Sequence, residues 1–321
     1  MDIEMIIENP QEGKAFMPVV EEGITWTTGR TGTPGQLDFT VIKDNIINFQ
    51  EGNRVQLKID GTPVFLGFVF KKKRNKDGLI QVTAYDQLRY FKNKDIYIYE
   101  NKTASELLKM IAGDFSLFTG DIEDTKYNIE LRIEDNETLF DIMGNALDLT
   151  LYNTKEMYVL YDDFGKLTLK NIGSMKVPLM ITESSAEDYD YETSIDSDVY
   201  NKVKIVYEDS GTKEREVFVS KSDENIKKWG VLQFYETVDD RQKGQATAEA
   251  VLELYNHKKR ALSINNVIGD LRVRAGCMLP IFLNLGDIVT STWLIVEKCR
   301  HSFNDNEHTM DLTLIGGEFS A

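Results

Sequence analysis

Cysteine is almost absent from this sequence: Cys277 and Cys299 are the two among 321 residues. Two cysteines cannot build a disulfide framework or a zinc knuckle. Both stand in apolar stretches suited to strands, where a buried free thiol is expected. Histidine is as scarce, with His257, His301 and His308 alone. His301 and His308 flank one hairpin and could meet across it. A metal site wants three or four ligands, so a structural role is expected for the pair. Long apolar runs are missing too: nothing approaches the roughly 20 residues of a membrane span. The start, MDIEMIIENP, has neither the basic region nor the apolar core of a secretion signal. Synthesis in the cytoplasm without a signal peptide, and no membrane insertion, are the expectations. Positive charge is in deficit, with 37 Lys and Arg against 53 Asp and Glu and a net charge of −16. Such a field repels phosphate backbones and argues against specific nucleic-acid binding. It suits a protein that nucleic acid must pass without sticking.

Motifs of catalysis and cofactor binding are lacking as well. In TTGRTGTPGQ, Gly29, Gly32 and Gly35 resemble a phosphate loop in spacing only. The Lys-Ser/Thr pair is missing and no helix follows, so a turn-rich loop is expected. The stretch from Glu183 to Asp198 holds seven carboxylates and no basic residue. Read as a calcium loop from Asp188, it has Thr193 where glycine is needed and Val199 where glutamate is needed. A solvated linker is expected there instead. No Ser/His/Asp or Cys/His arrangement stands out, and no carboxylate pair is marked by a motif. The expectation is a non-enzyme with no cofactor and no metal.

What is present is ample core material and a strand-rich pattern. The hydrophobic fraction is 41%, and the length exceeds the roughly 250–300 residues at which one core stops growing. Val55, Leu57 and Ile59 alternate with polar neighbours, the period of a half-buried strand. Asp60-Gly61 and Asp77-Gly78 then punctuate PVFLGFVF and LIQVTAYD as hairpins. The middle changes character. Thr103 with Glu106 forms a capping box opening a helix with Leu107, Leu108 and Ile111 on one face. A second helix is predicted over 136–149 with Leu139, Ile142, Met143 and Leu147 inward. A hairpin follows at Asp162-Asp163-Phe164-Gly165. Strands return from about 200, interrupted by a helix over about 243–260. The predicted organisation is a β domain at 1–100, a small α+β insertion at 101–189, and a β domain with one helix at 190–321. A faint repeat aligns Gly52–Val55 and the loop holding Asn75 and Asp77 with Gly286–Val289 and the loop holding Asn304 and Asn306. Trp26, Trp229 and Trp293 sit among apolar residues, as core tryptophans do. Lys71, Lys72, Lys73, Arg74 and Lys76 make the chain's one basic patch, at a hairpin tip. It reads either as edge protection or as a contact for an acidic protein surface.

Seven segments carry a family resemblance: EEGITWTTGRTGTPGQLDFTV (21–41), VTAYDQLRYFKNKD (82–95), NKTASELLKMIAGDF (101–115), LYDDFGKLTLKN (160–171), DYETSIDSDVYNKVKI (190–205), WGVLQFYE (229–236) and HTMDLTLIGGEF (308–319). In this order they resemble the tail-hub family of PBSX-type prophages, which looks related to the late-control-D-type hubs of contractile phage tails and phage-tail-like bacteriocins. The resemblance implies a mainly β fold of two related antiparallel β-barrel domains with an α+β insertion. It also implies a homotrimer in the particle that joins a six-fold tail tube, or tube-initiator protein, to a three-fold central spike among other baseplate proteins. The expected location is the baseplate of the tail. A receptor- or carbohydrate-binding module on the particle surface and a hub-associated cell-wall hydrolase are the alternatives.

Overall fold

Alternation of apolar and polar residues shapes the first seven strands. The computed structural model describes residues 1–316 apart from 45, 184, 186, 187, 210, 211, 239, 240, 285–288, 305 and 306, with the backbone alone for 242, 289 and 290. The strands are β1 (Ile3–Asn9), β2 (Lys14–Phe16), β3 (Ile24–Gly29), β4 (Gln36–Ile42), β5 (Arg54–Ile59), β6 (Thr62–Arg74) and β7 (Leu79–Tyr85). In β5 the three aliphatic residues are buried and the polar ones between them are not. Asp60 and Gly61 both take left-handed φ, 47° and 73°. That is the mirror-image turn whose twist matches a two-residue hairpin. The second Asp-Gly works differently. Asn75 Oδ1 accepts from the amides of Asp77 and Leu79 at 3.0 and 2.9 Å, and Gly78 supplies the left-handed residue. β6 runs on to Arg74, so Lys71–Arg74 are strand residues and not the tip of a loop.

The middle segment leaves this sheet. A 3₁₀ turn over Gln87–Lys92 leads to β8 (Lys94–Lys102), α1 (Ala104–Asp114), β9 (Thr119–Ile122), β10 (Ile129–Thr138), α2 (Leu139–Thr154), β11 (Tyr158–Asp162) and β12 (Leu167–Asn171). The capping box is in place: Thr103 Oγ1 accepts from Glu106 N at 3.2 Å and Glu106 returns a contact to Thr103 N at 2.9 Å. Leu107, Leu108 and Ile111 are fully buried. α2 starts later than predicted because Asn136 belongs to β10 and Thr138 caps the helix, and it runs on to Thr154.

Beyond it lie β13 (Ile181–Thr182), β14 (Asp188–Ser194), β15 (Lys202–Glu208), β16 (Arg215–Lys221), α3 (Asp223–Trp229), β17 (Gln233–Val238), α4 (Gly244–Tyr255), β18 (Lys259–Ile268), β19 (Met278–Asn284), β20 (Val289–Asn304) and β21 (Glu307–Ile315). Two expectations are corrected. The acidic stretch is not a linker: β14 pairs antiparallel with β18 over seven positions from Asp188↔Asn265 to Ser194↔Lys259. The last predicted helix ends at Tyr255, because Lys259 already pairs in the sheet.

The chain is mainly β with antiparallel sheets. Among the described residues thirteen strands join one sheet, in the order β14-β18-β21-β20-β3-β4-β7-β6-β5-β1-β2, with β19 on β20 and β13 on β19. Among the described residues this path has two ends and does not close on itself. Within it one topology occurs twice. The sets β3-β4-β7-β6-β5 and β14-β18-β21-β20-β19 have the same order and are antiparallel throughout. The agreement extends to single hydrogen bonds. Gly52 (φ 86°) donates to Val69 O at 2.8 Å, and Val69 donates to Asn53 O. Gly276 (φ 91°) donates to Val296 O at 2.8 Å, and Val296 donates to Cys277 O. One residue later each long strand has a bulge, between Val69 and Lys71 and between Val296 and Lys298. The correspondence therefore runs Gly52 to Gly276 and not to Gly286. Gly286, Asp287, Ile288 and Asn306 lie outside the described residues. Each set has its own core, with Leu37, Val55, Val69 and Val82 in one and Leu262, Leu279, Val296 and Leu312 in the other. The middle segment forms a third around Leu107, Ile111, Leu139 and Ile142.

Candidate functional site

The basic patch occupies an open sheet edge. β5 accompanies β6 to Phe68, and beyond the Val69 contacts the outer side of Lys71–Arg74 has no paired strand among the described residues. Lys71, Lys73, Arg74 and Lys76 are exposed and make no ion pair among the described residues. Lys72 is withdrawn: its Nζ donates to Phe49 O at 2.5 Å, lies 4.9 Å from the Phe49 ring centre and 3.9 Å from Glu51. The structure thus leaves four of the five cations exposed and spends the fifth, Lys72, on its own loop.

The opposite end of the sheet is acidic. β14 carries Asp188, Asp190 and Glu192, all exposed, alternating with Tyr189, Tyr191 and Thr193. Tyr189 leaves 39% of its surface open and bonds Asn284 O at 3.3 Å. The Asp-Tyr-Asp-Tyr-Glu-Thr alternation is the signal that could have revealed this strand, since period 2 is the mark of β structure. The weight of carboxylates obscured it.

Between the two sets, β20 lies against β3, with Lys298↔Gly29, Arg300↔Thr27 and His301↔Trp26 in register. Arg30 N donates to Glu297 O at 2.9 Å and its Nε to Glu297 Oε2 at 2.5 Å, while Thr28 Oγ1 accepts from Ala275 N at 3.0 Å. His301 is fully buried at this seam and stacks on Trp26 with centroids 4.8 Å apart. Its Nε2 is 2.9 Å from Val273 O and must donate there, so Nδ1 accepts from His308 Nε2 at 2.8 Å. Burial pushes His301 down to about 3, and the neighbouring His308 adds to the shift. The two histidines meet as expected, and Cys299 Sγ lies 3.2 Å from His301 Nε2. Both cysteines are free and buried.

A buried polar junction ties the first set to the middle segment. Asp86 accepts from Gly35 N at 2.8 Å and Leu88 N at 3.0 Å. Gln87 Nε2 donates to Asp162 Oδ2 at 3.1 Å and Gly165 O at 2.6 Å, and Arg274 donates to Asp162 O at 2.9 Å. Burial raises both carboxyls, and for Asp86 the charge of Asp162 is the next cause. Elsewhere a cavity of about 770 Å³ is lined by Arg30, Phe140, Leu147, Asp148, Tyr255 and Arg260 among others. Asp148 stands open to it, with its carboxyl pushed up to about 6 by desolvation and by Asp198 and Glu236, against Arg30. One raised carboxyl is not a catalytic pair. Among the described residues no group of three His, Cys, Asp or Glu could hold a metal ion, and no helix is long and apolar enough to cross a membrane. Gly32 is left-handed in an open loop, with no helix behind it. Of the tryptophans, Trp26 alone is core; Trp229 ends the short helix α3 half-buried, and Trp293 is half-buried on β20 with Lys176 over its ring.

A family model described as YQBQ-like matches residues 24–315. The chain belongs to the YQBQ-like family. The phage-like element PBSX protein XkdQ of Bacillus subtilis strain 168 is 29% identical to it over 310 residues, 94% of either chain. Among solved structures, the tail protein from Neisseria meningitidis MC58 shares 13% identity with a TM-score of 0.70, covering 99% of this chain and 98% of that one. The E. coli c3393 protein, described as a type VI secretion component structurally similar to the phage T4 tail proteins gp27 and gp5, has a TM-score of 0.55. It is 12% identical, and the match covers 99% of this chain and 78% of that one. At these identities the likeness is one of fold. This YQBQ-like chain therefore has the fold of phage-tail proteins, and its distinctive surfaces are sheet edges.

Proposed function

We propose that this YQBQ-like chain is the structural hub of a contractile phage tail or phage-tail-like particle. In this reading it adapts the six-fold tail tube to the three-fold central spike around a channel, without catalysis. The observation that carries the reading is the doubled topology. Two sets of five strands with one order, one pair of Gly-to-Val hydrogen bonds and one bulge stand side by side in a single sheet. We read each set as a barrel-like module: the first lies within a proposed domain 1–100, and the second, apart from Asp188 and Tyr189 at the start of β14, within a proposed domain 190–321, with the segment 101–189 between them. Three copies would present six similar modules in a ring, which matches a six-fold partner on one face and a three-fold partner on the other. The kinship with a PBSX protein and the fold shared with tail proteins support the same assignment. Light scattering on the full chain mixed with the particle's spike protein tests it. Three hub chains per spike trimer are expected; a stable complex with two or six copies would overturn the trimer.

A further inference from the structure

We propose that neighbouring copies join by strand pairing, with the β6 edge of one chain adding antiparallel to the β14 edge of the next and Lys73 opposite Glu192. The inference rests on the ring reading above and names the contact that would make the ring. The chain already contains this contact once. In the second set the outer half of β20, beyond its bulge, pairs with β3, the first strand of the first set. By the shared topology, the outer half of β20 corresponds to Lys71–Arg74 of β6, and β3 corresponds to β14. Both of those edges are unpaired in the single chain among the described residues. Trp26 pairs with Leu37 and Tyr191 with Leu262, and these partners pair in turn with Ala84 and Leu314. Trp26 and Tyr191 are therefore equivalent positions. Carrying Lys298↔Gly29 and Arg300↔Thr27 across gives Lys71 opposite Ser194 and Lys73 opposite Glu192.

Chemistry agrees with this register. Lys71, Lys73 and Arg74 meet a strand bearing Asp188, Asp190 and Glu192, in a chain whose net charge is otherwise strongly negative. Burial agrees too. Ile24 and Trp26 on β3, covered by β20, are 1% and 5% exposed, whereas their equivalents on β14, Tyr189 and Tyr191, are exposed and half-buried. An open edge is a ready template for another strand, and main-chain pairing supplies affinity while side chains set partner choice. Because the two edges differ, the contact is head-to-tail and closes only as a ring.

The test uses the full chain in assembled particles. Lys73→Cys and Glu192→Cys chains are co-expressed in one producing strain, and the purified particles are treated with a short thiol cross-linker. A covalent two-chain band is expected in mixed particles and none in particles holding either variant alone, since Cys277 and Cys299 are buried. As a second arm, Lys73→Glu and Glu192→Lys should each lower hub incorporation roughly fivefold by setting like charges opposite, with the double exchange restoring it. No band in the mixture, with hub extracted from the same particles as a trimer, overturns the pairing and leaves the ring. Hub extracted as single copies overturns the ring and the pairing with it. Unchanged incorporation of both charge variants also overturns the pairing.

Discussion

His301 has no room for a proton. Its ring lies between Trp26, Phe303 and His308, with Nε2 committed to Val273 O and Nδ1 accepting from His308. The folded pKa, about 3, is below the unfolded value of 6.5. The unfolded chain therefore binds more protons, and the stability this site contributes is present above pH 6.5 and lost as pH falls toward 3. Wild type should lose roughly 2–3 kcal/mol more than His301→Phe between pH 7 and pH 4.5, by urea unfolding, whatever the two proteins' stabilities at pH 7. Equal slopes would show that the histidine is protonated in place. At this scale the sequence spoke clearly for the cysteines, whose rarity and apolar surroundings meant buried thiols. It placed the histidine pair across one hairpin. It was silent on Trp26 and Val273, which come from distant strands and loops and fix the tautomer.

Elements were legible where a local rule dictates them. Thr103 and Glu106 fix the start of α1 through backbone amides that nothing else in the helix can satisfy. Thr103→Ala should cost about 1 kcal/mol of stability in a denaturant titration, the usual worth of such a cap. No loss would mean that burial of Leu107, Leu108 and Ile111 alone holds the helix. Asp60-Gly61 dictated a turn for the same local reason. β14 carried only the weak signal of its Tyr-Asp alternation, overlaid by carboxylates, because its backbone partners come from β18, about 70 residues further along the chain. The late stop assigned to α4 has a similar origin: Lys259 is drawn into the sheet by β14, so tertiary pairing overrides a continuing helical pattern.

At the scale of the whole molecule, the chain carries a net charge of −16. In the ring reading, carboxylates facing a narrow bore repel a passing polyanion, since screening acts over about 8 Å at physiological salt. Assembled particles should therefore leave duplex DNA unshifted in a low-salt gel, and retardation that salt abolishes would indicate a basic bore. The basic edge does not contradict this, because β14 of the next copy would cover it.

The sequence by itself determined the class: a mainly β, acidic chain with an α+β segment in its middle, turns at Asp-Gly, and a family signature running from end to end. Those features are local, written in alternation, capping and turn chemistry within a few residues. Tertiary structure alone decided that the two β regions share one hydrogen-bonded sheet through β3 and β20. It also decided that Gly52 answers to Gly276 and that the basic and acidic runs both lie on open edges. Strand neighbours across more than 200 residues are chosen by backbone pairing and shared cores, and those preferences do not appear in any one stretch of chain.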